Sequence, residues 1–144
     1  MDIEFYKKIK KILAKDPRYK ISAYEFLFQA LFYTQRKLNR RGHVTGKELL
    51  EGIKEYAVEQ FGFLAQTVLE EWGVRRTEDF GEIVFNLVEV GLLKKTEEDS
   101  IEDFKGVYNF EEAFKEEHNR RLQEDIKRVI SISEYPSKKN NKKI

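Results

Sequence analysis

The stretch TEDFGEIVFNLVEVGLLKKTEEDSIEDFKGVYNFEEAF, residues 77–114, decides how this chain is read. Phe80, Ile83, Val84, Leu87 and Val88 recur at helical spacing behind Thr77, an N-cap residue type, with Glu78, Asp79 and Glu82 where a helix dipole favours acids. Gly91 stops that helix and residues 92–94 begin an extended segment. The polar run 95–103 then turns the chain toward Gly106-Val107-Tyr108-Asn109-Phe110, a second candidate strand. A further helix starts at Glu111. Helix, turn, charged hairpin, helix is the order of a winged helix, expected here over residues 45–110.

The charges of the first of these helices oppose the function that shape suggests. Reading DNA requires Lys or Arg for the phosphates and mostly Arg, Lys, Asn or Gln for the bases. The polar positions of residues 77–90 are Glu78, Asp79, Glu82, Asn86 and Glu89. Such a face repels nucleic acid, and Arg75 and Arg76 before it do not offset four carboxylates. A nucleic-acid role, if present, falls to the basic N-terminal third and the tail.

Upstream, residues 2–15 set Phe5, Tyr6, Ile9, Ile12 and Leu13 on one face and Lys7, Lys8, Lys10, Lys11 and Lys15 on the other, an amphipathic helix closed by Asp16-Pro17. It reads as a helix docked on the core, with a membrane-surface or partner-binding helix as the alternative. Ser22 with Glu25 has capping-box spacing and predicts a helix from about residue 23 to 38, apolar around most of its circumference and therefore central or shared with a second copy. Thr45 with Glu48 repeats the capping box and predicts a helix ended by Gly62. A shorter helix leads to Trp72, the sole Trp, and Gly73. The last helix, to about residue 132, carries a thin stripe of His118, Leu122, Ile126, Val129 and Ile130, too sparse for deep burial, so it projects or pairs with a partner copy. The expectation is one mainly α domain over 1–135, about six helices with one small β-hairpin, and a disordered basic tail over 136–144.

A chain of 144 residues fits one domain, and 40% hydrophobic content with 13% aromatic residues is globular. The 37% of charged residues, rich in Lys and Glu, with no Cys and one Met, resembles thermophile usage. Lack of Cys removes disulfides, thiolate catalysis and Cys-ligated zinc. No apolar run reaches the roughly 18 residues that span a bilayer, and the N-terminus has no leader pattern, so a cytoplasmic protein is expected. The net charge of +1 conceals segregation: residues 1–47 hold twelve Lys or Arg against four acids, residues 48–117 seven against nineteen, and residues 118–144 eight against three. Such a layout suits self-complementary packing or association.

Among motifs, RRGHVTGKE supplies the candidate site. Its helix start and the donors of Arg40, Arg41, His43, Thr45, Gly46 and Lys47 suit a phosphate or carboxylate, with an ordinary capped loop as the simpler reading. It is not a P-loop, because Glu48 follows Gly-Lys where Ser or Thr is needed. The cluster Glu97, Glu98, Asp99, Glu102 and Asp103 lacks the alternation and turn Gly of a calcium loop and reads as a solvated turn. No Gly-x-Ser-x-Gly nucleophile motif occurs, and no metal or cofactor is implied.

At GHVTGKELLEGI (42–53), EQFGFLAQTVLEEWGV (59–74) and TEDFGEIVFNLVEVGLLKKTEEDSIEDF (77–104) the chain resembles a family of uncharacterised bacterial proteins largely restricted to planctomycetes and verrucomicrobia. The resemblance covers residues 21–114 and implies no activity, ligand or catalytic residue. The residues themselves favour a non-catalytic interaction module that self-associates. The alternatives are a nucleic-acid-associated protein using the basic N-terminal third and tail, and a small-anion-binding protein or enzyme at residues 40–47.

Overall fold

The computed structural model describes residues 2–140, with side chains to residue 133, and is mainly helical. Asp2 caps α1 (Ile3–Lys15) by accepting the Phe5 N–H at 2.9 Å, and Phe5, Ile9 and Ile12 are its buried face. The chain turns at Asp16-Pro17 into α2 (Ile21–Lys37), which buries Ala23, Tyr24, Phe26, Leu27, Ala30 and Thr34. Here the expected Ser22–Glu25 capping box does not form. The helix starts before Ser22, and Glu25 accepts the Tyr6 hydroxyl of α1 at 2.8 Å instead.

Thr45 and Glu48 do form their capping box at the start of α3 (Gly46–Phe61). α3 packs closely on α2, because Gly52 leaves the room that Thr34 fills. A 3₁₀ turn, Gly62–Leu64, leads into α4 (Ala65–Glu71), and α5 (Thr77–Glu89) follows. Phe26, at the centre of the core, meets Phe61, Trp72 and Phe80 with ring centroids 5.6 to 6.5 Å apart. The expected count of about six helices is corrected, among the described residues, to five long ones, because the shorter helix expected before Trp72 has only the seven residues of α4 after the 3₁₀ turn.

The β-hairpin is a second correction. Among the described residues there is no strand, so the wing of the winged-helix-like order is absent. Gly91, in the left-handed region at φ 80°, ends α5. Local side chains then curl the polar run instead of extending it. Asp99 accepts the Thr96 N–H at 2.7 Å, and Asp103 accepts the Ser100 N–H at 3.1 Å, starting a 3₁₀ turn, Ile101–Phe104. Phe104 and Phe110 are buried and Val107 is exposed, but the 3₁₀ turn rather than a strand sets this pattern. Phe104 lies on the backbone of α3 at Gly46 and of α5 at Gly81. α6 (Phe110–Asn140) completes the order, and residues 141–144 of the expected tail lie outside the described residues.

The acidic face of α5 proves to be structural. Asp79 accepts the Tyr19 hydroxyl at 2.6 Å, Glu82 the Arg18 guanidinium at 3.3 Å, and Glu89 the Lys15 ammonium at 3.1 Å. Asn86 donates to Asp16 at 2.9 Å and to the Tyr24 hydroxyl at 3.1 Å. Arg18 holds the Asp16 carboxyl well below the usual carboxylate range, against the opposing effect of burial. Part of the charge segregation is therefore satisfied within one chain. Thr77, expected as the cap of this helix, is its buried first residue, and its Oγ1 accepts the Val107 N–H at 3.2 Å. Asp79 takes the capping role, accepting the Arg75 and Arg76 N–H groups at 2.8 and 3.2 Å.

Candidate functional site

The loop between α2 and α3 is shaped by backbone needs first. Asn39 adopts a left-handed conformation at φ 51°, and Gln35 donates to the Gly42 carbonyl at 3.0 Å, fixing the turn. Glu48 then fills the start of α3. One carboxylate oxygen accepts the Thr45 N–H at 2.8 Å and the Arg40 guanidinium at 2.7 Å, while the Glu48 N–H donates to the Thr45 hydroxyl at 3.1 Å. Arg40 above all, with the Thr45 N–H, holds the Glu48 carboxyl down to about 2. The chain's own carboxylate thus sits where an external anion was expected.

The other loop residues diverge. His43 Nε2 stands 3.2 Å from Asp99 Oδ1, and Gly46 lies against Asp103 and the Phe104 ring. The 96–103 run, read from sequence as a solvated turn, therefore faces the basic loop. Between them opens a cleft of about 310 Å³ whose apolar wall includes Leu31, Val84, Phe85 and Leu93. On the outer side His43, Thr45 and Gly46 also line an open concavity together with Lys47, Glu97 and Glu98. Arg40 and Arg41 turn to a different groove, beside Arg36 and Phe32. Four of the six residues thus stay together, and Arg40 and Arg41 are separated from them.

Two hydroxyls beside the cleft serve as caps: Thr45 accepts the Glu48 N–H, and Ser100 the Glu102 N–H at 3.2 Å. Among the described residues no group of three or more His, Asp or Glu is placed to hold a metal ion. The cleft offers apolar contact with a polar rim, which is a binding chemistry. Its acidic wall was signalled in the sequence by Thr96-x-x-Asp99 and Ser100-x-x-Asp103, two capping patterns read there as a hairpin turn.

A run of exposed apolar residues lies on α6. Phe110, Ala113, Phe114 and Glu117 are buried against the body, and from residue 122 to 133 every residue is exposed. Glu117 marks the departure point. It accepts Arg120 Nη2 and Arg121 Nε, each at 2.7 Å, and Arg121 donates onward to the Glu55 carbonyl at 3.1 Å and the Tyr33 hydroxyl at 3.3 Å. Burial pushes the Glu117 carboxyl up, but the two guanidinia outweigh it and leave it below its ordinary value. Beyond this anchor Leu122, Ile126, Val129, Ile130 and Ile132 are 50% to 64% exposed. Phe63, 80% exposed, extends the patch, its ring 6.3 Å from that of His118.

Among the described residues no helix is long and apolar enough to cross a membrane. Comparison with known family models, with curated proteins and with solved structures finds no match.

Proposed function

We propose that this chain is a non-catalytic interaction module that self-associates through α6, the occupant of its exposed stripe being α6 of a second copy. The exposed apolar residues of α6 carry this reading. Leu122, Ile126 and Val129 follow the alternating four- and three-residue spacing of a helix-pairing seam. An amphipathic helix in water is marginal without something to pack on, and a contiguous apolar surface of this kind marks an interaction site.

The flanks favour a second copy over a partner of one charge sign. Arg120, Arg121, Lys127 and Arg128 alternate with Glu124 and Asp125, and Arg120–Glu124 and Arg128–Asp125 are ion pairs within the helix. A mixed flank neither selects nor repels its own copy, so a two-fold, isologous pairing of α6 on α6 is compatible with it. The family resemblance at residues 21–114 ends in the first turns of α6, before its exposed stripe, which is consistent with an assembly device particular to this chain.

Cross-linking tests the proposal. The chain has no Cys, so a single introduced thiol is unambiguous. With Ile126→Cys, a short bis-maleimide linker is expected to yield a covalent dimer, while Lys10→Cys on the exposed face of α1 yields none. Equal cross-linking of both variants would contradict pairing through α6.

A further inference from the structure

The groove between the C-terminal half of α2 and α3 has a composition unlike the rest of this surface. It is lined by Arg36, Arg40 and Arg41, by the aromatic rings of Phe32 and Tyr56, and otherwise by side-chain amides. No carboxylate lines it, in a chain with 26 Asp and Glu. Phe32 is 57% exposed, although it stands on a helix whose other aromatic side chains are buried or half-buried. The neighbouring acids are already paired: Glu48 with Arg40 of the groove, and Glu55 with Lys37 and the Tyr33 hydroxyl.

We propose that this groove binds a single-stranded nucleic-acid segment, an unpaired base stacking on Phe32 and the backbone phosphates meeting Arg36 and Arg41. Each lining type has its part. Guanidinia pair with phosphate, an exposed ring stacks on any base, and amides such as Gln29 and Asn39 match the hydrogen-bonding edges that an unpaired base presents. A duplex keeps its base faces stacked inside and offers Phe32 nothing, so the groove selects single strands. Arg40 keeps Glu48 at 2.7 Å while its other N–H groups remain for the ligand. The acidic α5 face, far in role from this groove, is used up in holding α1 and its following turn.

Fluorescence anisotropy of the full chain with labelled unstructured oligoribonucleotides and oligodeoxyribonucleotides of one sequence, and with their duplexes, tests this. Single strands are expected to bind more tightly than duplex, with affinity falling as salt rises. Phe32→Ala should weaken binding about five- to 150-fold, and Arg36→Glu with Arg41→Glu should abolish the salt dependence. Circular dichroism checks that these exposed substitutions leave the fold intact. A preference for RNA or for DNA would name the source of the strand and support the proposal either way. Binding of duplex as tightly as single strand, equal competition by polyglutamate, an unaffected Phe32→Ala variant, or no binding at low salt would overturn it.

Discussion

The Thr34 hydroxyl occupies the space into which a side chain at Gly52 would grow: a Cβ built there would stand 1.7 Å from Thr34 Oγ1 and 2.9 Å from its Cβ. Thr34 is held in that position because its hydroxyl donates to the Ala30 carbonyl at 2.7 Å. The close approach of α2 and α3 depends on this pair. Gly52→Ala is therefore expected to destabilise the fold by about 3 kcal/mol or more, the upper end for overpacking a close-packed core. Adding Thr34→Ala should recover part of that loss in urea unfolding.

The loop before α3 makes a pH-dependent contribution. Glu48 is held down to about 2 from 4.5, so in acid the unfolded chain takes up a proton that the folded chain resists. Its stabilising contribution is present above pH 4.5 and is lost as pH falls toward 2. Asp16, lowered by Arg18, acts in the same direction. Glu48→Gln should flatten this part of the stability profile, and Thr45→Ala should cost about 1 kcal/mol at neutral pH. Thermal melts of the two variants across acidic pH check both.

Phe104 anchors the 3₁₀ turn on the body. It is buried against Gly46 and Gly81, so Phe104→Ala should cost about 3–5 kcal/mol. Val107, exposed, should tolerate Val107→Ala within about 0.5 kcal/mol. Denaturant midpoints of the two variants check both values.

These residues also explain how far the sequence could be read. Helices with a strong local start and an apolar face, such as α1 behind Asp2 and α3 behind Thr45, were legible because their determinants lie within a few residues. Ser22–Glu25 has the same spacing, yet Glu25 is drawn to Tyr6, nineteen residues away, which no local pattern reveals. Residues 92–109 failed for a different reason. Gly and polar residues between apolar ones suit a hairpin and a capped turn alike, and only the fit of Phe104 between two glycines decides the matter. At the candidate site, the loop was legible, but that the acidic run would stand opposite it was not. His43 and Asp99 lie far apart in sequence and meet only through the fold.

Glu117 controls how α6 leaves the body. Glu117→Ala would leave the Arg121 guanidinium half-buried without its carboxylate, and a loss of about 1–3 kcal/mol is expected. Glu117→Gln retains one acceptor and should lose less. Hydrogen exchange should show faster exchange in the first turns of α6 in the alanine variant, with α1 unchanged.

The central claim is that the α6 stripe is covered by a second copy, and the molar mass of the intact chain in solution, followed by sedimentation equilibrium over a concentration series, tests it most directly. The account predicts a mass approaching twice that of one chain as concentration rises, and a single-chain mass throughout for Ile126→Glu with unchanged helicity. A wild-type chain that stays at the mass of one copy at every concentration, or an Ile126→Glu variant that dimerises as the wild type does, would contradict it.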